Sequence, residues 1–324
     1  MFSHHKTLIL LALTGVVLLV VLGLAELLLR SMYGLGNPVL YQANPLYGYR
    51  PQPHQEVTRF SGARIQINNL GLRASRKWDS SRDGRVLFLG DSVTYGGSYI
   101  DNDELFSELA VQNLKGVESG NGGVNGWGVE NVHGLLVRSE FLPARTYVTL
   151  FIPHDFYRGV TSQQAVPYWS RNPSSALEEL LQWGFFKFGQ RRYRNWASAA
   201  EPELMEKMAG ISVGRLAEID AFLRARGLNH VSYISPTIQQ VLGVANRDPF
   251  ISKQLAAHSL EPIYLIRRLQ KLGLAESEVH ALYKDNVHLT VEGHRTWASL
   301  IEPDLRALYE AGRTGISAAT LQGR

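Results

Sequence analysis

The stretch Arg85-Val-Leu-Phe-Leu-Gly-Asp-Ser-Val-Thr-Tyr-Gly96 decides how this chain is read. Its first half, Arg85–Gly90, is a short apolar run that closes on a glycine. Such a run predicts a strand buried on both faces. The polar residues directly after it then stand where a strand gives way to a helix. Working outward, YVTLFI (Tyr147–Ile152) and VSYIS (Val231–Ser235) repeat the strand signal. Val117–Ser119 reads as a further short strand before a glycine-dense loop. Helical periodicity runs over Asp103–Leu114, Val129–Glu140, Pro202–Arg226, Leu260–Leu272 and Val291–Leu308. Short apolar strands alternating with helices predict βαβ units, hence an α/β fold with a central parallel sheet covered on both faces.

The remaining composition narrows the function. The chain has 324 residues, 45% hydrophobic and 19% charged. Those are globular values, and they exclude disorder as the main state. A net charge of +4 over this length gives little reason to expect a nucleic-acid partner. Cysteine is absent. That removes disulfides, thiolate metal sites and a cysteine nucleophile together. The ten histidines are scattered, with no H-E-x-x-H, so neither a metal nor another cofactor is expected.

Thr7–Leu29 reads TLILLALTGVVLLVVLGLAELLL, with Glu26 its only charge. A membrane-crossing helix needs about 20 apolar residues. A signal peptide has a shorter apolar core and a small-residue cleavage site, and no such site follows. Residues 1–30 are therefore expected to be an uncleaved transmembrane signal anchor, with a cleaved signal as the alternative. Lys6 and Arg30 flank the span and barely bias its orientation. The short head before a large C-terminal body suggests an exported domain. Residues 31–83 are expected to form a β-rich layer. Asn44–Pro53 reads as turns, and Val57–Asn68 as a hairpin turning at Ser61–Gly62. Residues 84–312 are the main domain, and 313–324 a frayed tail. Within the domain, residues 157–200 form an insert that interrupts the α/β rhythm. It carries Tyr168, Trp169, Trp183, Phe185, Phe186, Phe188, Tyr193 and Trp196, with Arg191, Arg192 and Arg194 interleaved. Its helical spacing fits a helix packed on its own core, an aromatic platform over a site, or a helix on a membrane surface.

In open parallel sheets, ligands bind beyond the carboxyl ends of the strands. After the first strand comes Gly90-Asp91-Ser92. A serine at this turn lies beside the orphan N–H groups of a helix start, which can stabilise an oxyanion. Alone, Ser92 could equally be a helix cap. Thr94 replaces the second glycine of a G-x-S-x-G elbow, so this is not that motif. After the second strand comes Gly120-Asn-Gly-Gly-Val-Asn-Gly-Trp-Gly128. It is neither a dinucleotide fingerprint, since Asn125 stands where a third Gly is needed, nor a Walker loop. After the third strand comes Pro153-His154-Asp155. Near the C-terminus stands Asp285-Asn-Val-His288. A serine hydroxyl needs an adjacent base, usually a histidine oriented by a carboxylate. Each segment alone is weak; the order carries the signal.

That order resembles the SGNH hydrolases, the GDSL esterase/lipase superfamily, over roughly Val86–Leu300. Gly90-Asp91-Ser92 is similar to its first block, Asn121–Gly126 to its second, and Asp285 with His288 to its fifth. The resemblance implies a flavodoxin-like three-layer α/β/α sandwich. It implies Ser92 as nucleophile, His288 as base and Asp285 as its orienter. It also implies Ser92 and Gly126 as oxyanion donors. The family's third block is Gly-x-Asn-Asp, whereas Ile152-Pro153-His154-Asp155 stands here, leaving His154 as the candidate third donor. The expected activity is ester hydrolysis through an acyl-enzyme. The expected substrate is an O-acyl ester, O-acetyl on a cell-surface glycan foremost. A polysaccharide O-acetyltransferase on the same scaffold is the first alternative, and a non-catalytic envelope or glycan-binding protein the second.

Overall fold

A computed structural model describes residues 2–79, 81–160, 169–197 and 201–314. The chain opens with helix α1 (Phe2–Tyr33). Its stretch His5–Tyr33 is long and apolar enough to cross a membrane. Leucines and valines face outward all around it and pack on nothing, the pattern of a helix surrounded by lipid. Among the described residues, its last turns meet the turn Phe60–Gly62 and helix α5 (Ala176–Ala197).

Two antiparallel hairpins follow. β1 (Tyr41–Asn44) pairs with β2 (Gly48–Pro51), and β3 (Gln55–Thr58) with β4 (Arg64–Ile67). The second is the hairpin expected around Ser61–Gly62. The first corrects the reading of Asn44–Pro53 as turns alone. Gly48 makes it work: its φ is +85°, and a Cβ there would strike the Val160 carbonyl. The backbone of Arg73 bridges Ile67 to Asn121 and so ties this layer to the edge of the main sheet.

The main sheet is five-stranded, in the order β6-β5-β7-β8-β9. Its strands are β5 (Arg85–Gly90), β6 (Glu118–Asn121), β7 (Thr146–Phe151), β8 (Asn229–Ile234) and β9 (Ile263–Tyr264). Every neighbouring pair is parallel. All residues of β5 and β7 are buried, which is why each reads as an unbroken apolar run. Side chains alternate between two cores. Leu87, Leu89, Tyr147 and Phe151 face one, with Leu216 and Ile219 of helix α6 (Pro202–Ala225). Val86, Phe88, Val148 and Leu150 face the other, with Trp297 and Ile301 of helix α11 (Val291–Thr314). The result is a three-layer α/β/α sandwich. Counting along the main sheet alone, the strand order is 2-1-3-4-5, the flavodoxin-like arrangement, with its topological switch between β5 and β7.

Two helices differ from expectation. Leu260–Leu272 is not one helix. Ile263–Tyr264 is drawn onto the sheet edge by Tyr233 and Ile234, and helix α9 begins only at Leu265 and ends at Lys271. Asp103–Leu114 is mostly turns around the single-turn helix α3 (Phe106–Leu109). The tail beyond Thr314 lies outside the described residues. So do Tyr168 and the side chains of Arg191, Arg192, Tyr193, Arg194 and Trp196.

Candidate active site

The switch point sits beside the end of β5. Gly90 passes so close to β7 that a Cβ would meet the Leu150 carbonyl oxygen at 2.2 Å. The turn therefore admits only glycine. Asp91 then caps helix α2 (Ser92–Tyr95): its Oδ1 accepts from the Val93 N–H at 2.8 Å. Ser92 is thereby held at the first helical position, 7% exposed. Its N–H, like that of Gly126, donates to no acceptor among the described residues. Gly126 has φ +81°, a backbone that favours glycine.

Asp285 and His288 come from a tight loop between helix α10 (Glu276–Leu282) and α11. A bridge between Tyr283 and Leu289 closes the loop. Asp285 Oδ1 accepts from the N–H groups of Val287 and His288, both at 2.9 Å, which folds the loop back on itself. Asp285 Oδ2 lies 2.7 Å from His288 Nδ1. His288 Nε2 lies 2.8 Å from Ser92 Oγ. With the carboxylate accepting from Nδ1–H, Nε2 is left to accept from the serine hydroxyl. Partial burial alone would raise the Asp285 pKa. Hydrogen bonds from the His288 ring and two backbone N–H groups prevail and hold it well below the usual carboxylate range. Ser92 and the distant Asp285–His288 turn thus form one hydrogen-bond path: hydroxyl, imidazole, carboxylate.

His154 stands after β7, and no hydrogen bond joins it to Ser92 or His288. Its partner is Arg158, whose Nη2 is 3.3 Å from His154 Nδ1. An arginine can only donate, so Nδ1 accepts and the ring proton sits on Nε2. Crowding by the surrounding chain, then the nearby Arg158 charge, lower the His154 pKa. The ring is therefore neutral at neutral pH, although the residue keeps contact with solvent.

Arg158 went unremarked in the sequence, yet it organises the floor of the site. Its Nη1 is 2.6 Å from Asp155 Oδ1, 2.8 Å from the Trp127 carbonyl and 3.4 Å from Asp91 Oδ2. Both aspartates are fully buried. Burial, then the neighbouring Asp91 charge, push the Asp155 pKa well above its usual value against the pull of Arg158. Arg73 is the second omission. Although 2% exposed, it donates from Nη1 to the carbonyls of Tyr95 and Gly97, each at 2.7 Å, and from Nη2 to that of Ile100. It clamps the loop that leaves the Ser92 turn. Followed by Arg76 and Lys77, it reads in the sequence as one more solvated charge. Asn121 completes the frame by donating to the Thr94 carbonyl at 2.5 Å. Gly123 lies against the same helix, where a Cβ would meet the Tyr95 nitrogen at 2.4 Å. Among the described residues, no three metal-ligating side chains cluster.

No protein-family model and no curated protein matches the chain. Several solved structures are similar to it. One is a lipolytic protein of the G-D-S-L family from Veillonella parvula DSM 2008. It is 13% identical, with 67% of this chain and 94% of that one covered and a TM-score of 0.37. An acetyl xylan esterase is 14% identical over 67% of this chain and 97% of its own, with a TM-score of 0.43. A two-domain esterase active on acetylated mannans is 12% identical over 70% of this chain and 52% of its own, with a TM-score of 0.38.

Proposed function

We propose that this protein is a membrane-anchored serine ester hydrolase of the SGNH type, with its α/β body outside the cytoplasm. The observation that carries the reading is the unbroken Ser92–His288–Asp285 hydrogen-bond path at the carboxyl ends of the sheet. Ser92 Oγ attacks the ester carbonyl as His288 Nε2 takes its proton. The oxyanion is received by the free N–H groups of Ser92 and Gly126, with His154 Nε2–H as third donor. The C–O bond to the alcohol breaks, and the imidazolium returns its proton to the leaving oxygen. Water, deprotonated by the same imidazole, then attacks the acyl-enzyme and releases the acid. Asp285 holds the imidazole in the required tautomer and stabilises its charged form. Arg158 and Asp155 position His154, while Arg73 and Asn121 position the serine turn. The O-acetyl ester of a glycan, expected from the sequence, belongs to this substrate class.

The test is acid release from a small acetyl ester by the full-length protein in detergent, compared with Ser92→Ala. Turnover should fall by about 10⁴-fold or more in the variant. One equivalent of acid followed by a stall would mean that a sugar hydroxyl rather than water resolves the acyl-enzyme. Neither a burst nor a difference from Ser92→Ala would sink the esterase reading for small esters and favour a non-catalytic envelope role.

A further inference from the structure

The molecule has a concavity that Ser92 and His288 do not themselves line. It holds about 380 Å³, the size class of a small-molecule site. Leu29 and Tyr33 contribute to it from the last turns of α1, and Leu180 and Trp183 from α5. Ser98 and Asn125 contribute from the two loops that frame the serine turn. One wall is therefore the end of the apolar helix. The opposite wall is made of active-site loops, since Asn125 directly precedes Gly126.

We infer that this cleft is the acyl-chain site: it takes the aliphatic chain of a membrane-borne ester whose carbonyl reacts at Ser92. The inference rests on the esterase reading above and names its substrate class. Four observations favour a hydrocarbon chain over a sugar. First, the charged groups in the walls are already paired. Arg59 and Glu179, both buried, pair with each other, and Glu179 Oε2 also accepts from the Gly36 N–H at 2.6 Å. Neither charge is left to hold a sugar hydroxyl, whereas a hydrocarbon needs no such partner. Second, the cleft touches the one helix among the described residues that is apolar enough to lie in a bilayer, so a chain can enter without crossing water. Third, α5 leaves Leu181, Phe185 and Phe188 61%, 75% and 67% exposed beside the entrance. An apolar row on a helix that starts at the membrane end of α1 fits an interfacial position. Fourth, the geometry of that entrance is fixed. Glu26 near the end of α1 accepts from the N–H groups of Ala176 and Leu177 at 2.8 and 3.0 Å, which joins the start of α5 to the span.

The test uses the full-length protein in phosphatidylcholine nanodiscs, with p-nitrophenyl acetate, butyrate, octanoate and dodecanoate as substrates. Each added methylene should raise kcat/KM roughly fourfold, equivalent to about 0.8 kcal/mol, until the cleft is filled. Leu180→Trp and Leu29→Trp change half-open positions and fill the cleft. They should lower octanoate turnover by about tenfold or more and leave acetate within about twofold. A flat chain-length profile, or equal losses on both esters, would overturn the proposal. Binding of the fluorescent fatty acid cis-parinaric acid to Ser92→Ala protein separates the two readings. Binding that Leu180→Trp abolishes supports the chain site even if no ester turns over. No binding overturns the chain site even if acetate is hydrolysed.

Discussion

At the scale of single residues, the most informative group is Asp285. Its carboxylate accepts one side-chain and two backbone hydrogen bonds, so its depressed pKa reflects a built anion site. Asp285→Asn keeps the shape and removes the charge. The amide can then donate to His288 Nδ1, which favours the tautomer that cannot accept from Ser92. The expected result is a fall in kcat of roughly 10²–10⁴, with KM almost unchanged. A steady-state comparison on an acetyl ester checks it. Ser92, Asp285 and His288 were legible in the sequence because their local chemistry is local in sequence too: a glycine turn after a strand, and a carboxylate three residues from an imidazole. Arg158 and Glu179 were not. An arginine seven residues beyond a strand and a glutamate on a helix both read as solvated charge. Burial by distant segments gives them their roles, and no short pattern encodes it.

At the scale of elements, the active-site end is held by a clamp that crosses from the small layer to the main sheet. Arg73 leaves the extended segment after β4 and binds three carbonyls of the Tyr95–Ile100 loop, while its backbone pairs with Asn121 of β6. Arg73→Met keeps apolar bulk but leaves those carbonyls without donors. The expected cost is about 3–5 kcal/mol of stability, since each buried unsatisfied group costs roughly 1–3 kcal/mol. Urea unfolding measures it, and a value under about 1 kcal/mol would deny the clamp. The same scale shows where sequence reading is limited. Strands β5 and β7 were plain because both faces are buried and composition alone reports that. β9 has only two residues, too few for any period, and becomes a strand because the edge of β8 offers it hydrogen bonds. Val57–Asn68 was legible as a hairpin from its alternation, but β1–β2 was hidden among prolines and glycines that usually mark irregular chain.

At the scale of the whole molecule, acid stability turns on a buried imidazole. His294 of α11 is 1% exposed, stacks on Phe106, and accepts the Phe106 N–H on Nδ1 at 3.1 Å. Burial, then the Arg73 charge, lower its pKa to about 3. The folded state therefore resists protonation of this ring, while an unfolded histidine takes a proton near pH 6.5. Between those values the unfolded chain binds more protons, so stability falls as pH drops, by roughly 1.4 kcal/mol per pH unit from this group. His294→Gln keeps an acceptor for Phe106 and removes the titration. Its unfolding free energy should depend less steeply on pH between 6 and 4 than that of the parent protein. Parallel slopes in urea titrations would show that His294 is not the acid-sensitive group.

The joint between Glu26 and the start of α5 has a consequence for how the two parts of the chain can evolve. A flexible tether tolerates insertions, deletions and exchange. This one does not, because Glu26 must point at the Ala176 and Leu177 N–H groups. Each residue added to or removed from a helix rotates everything before it by about 100° relative to everything after it. Apolar side chains before Glu26 can therefore be swapped freely for one another. One residue inserted between Glu26 and Tyr33 would swing the carboxylate to another side of the helix and turn Leu29 away from Tyr33. The span is thus interchangeable in sequence, but the angular phase of its last two turns belongs to the body that it carries.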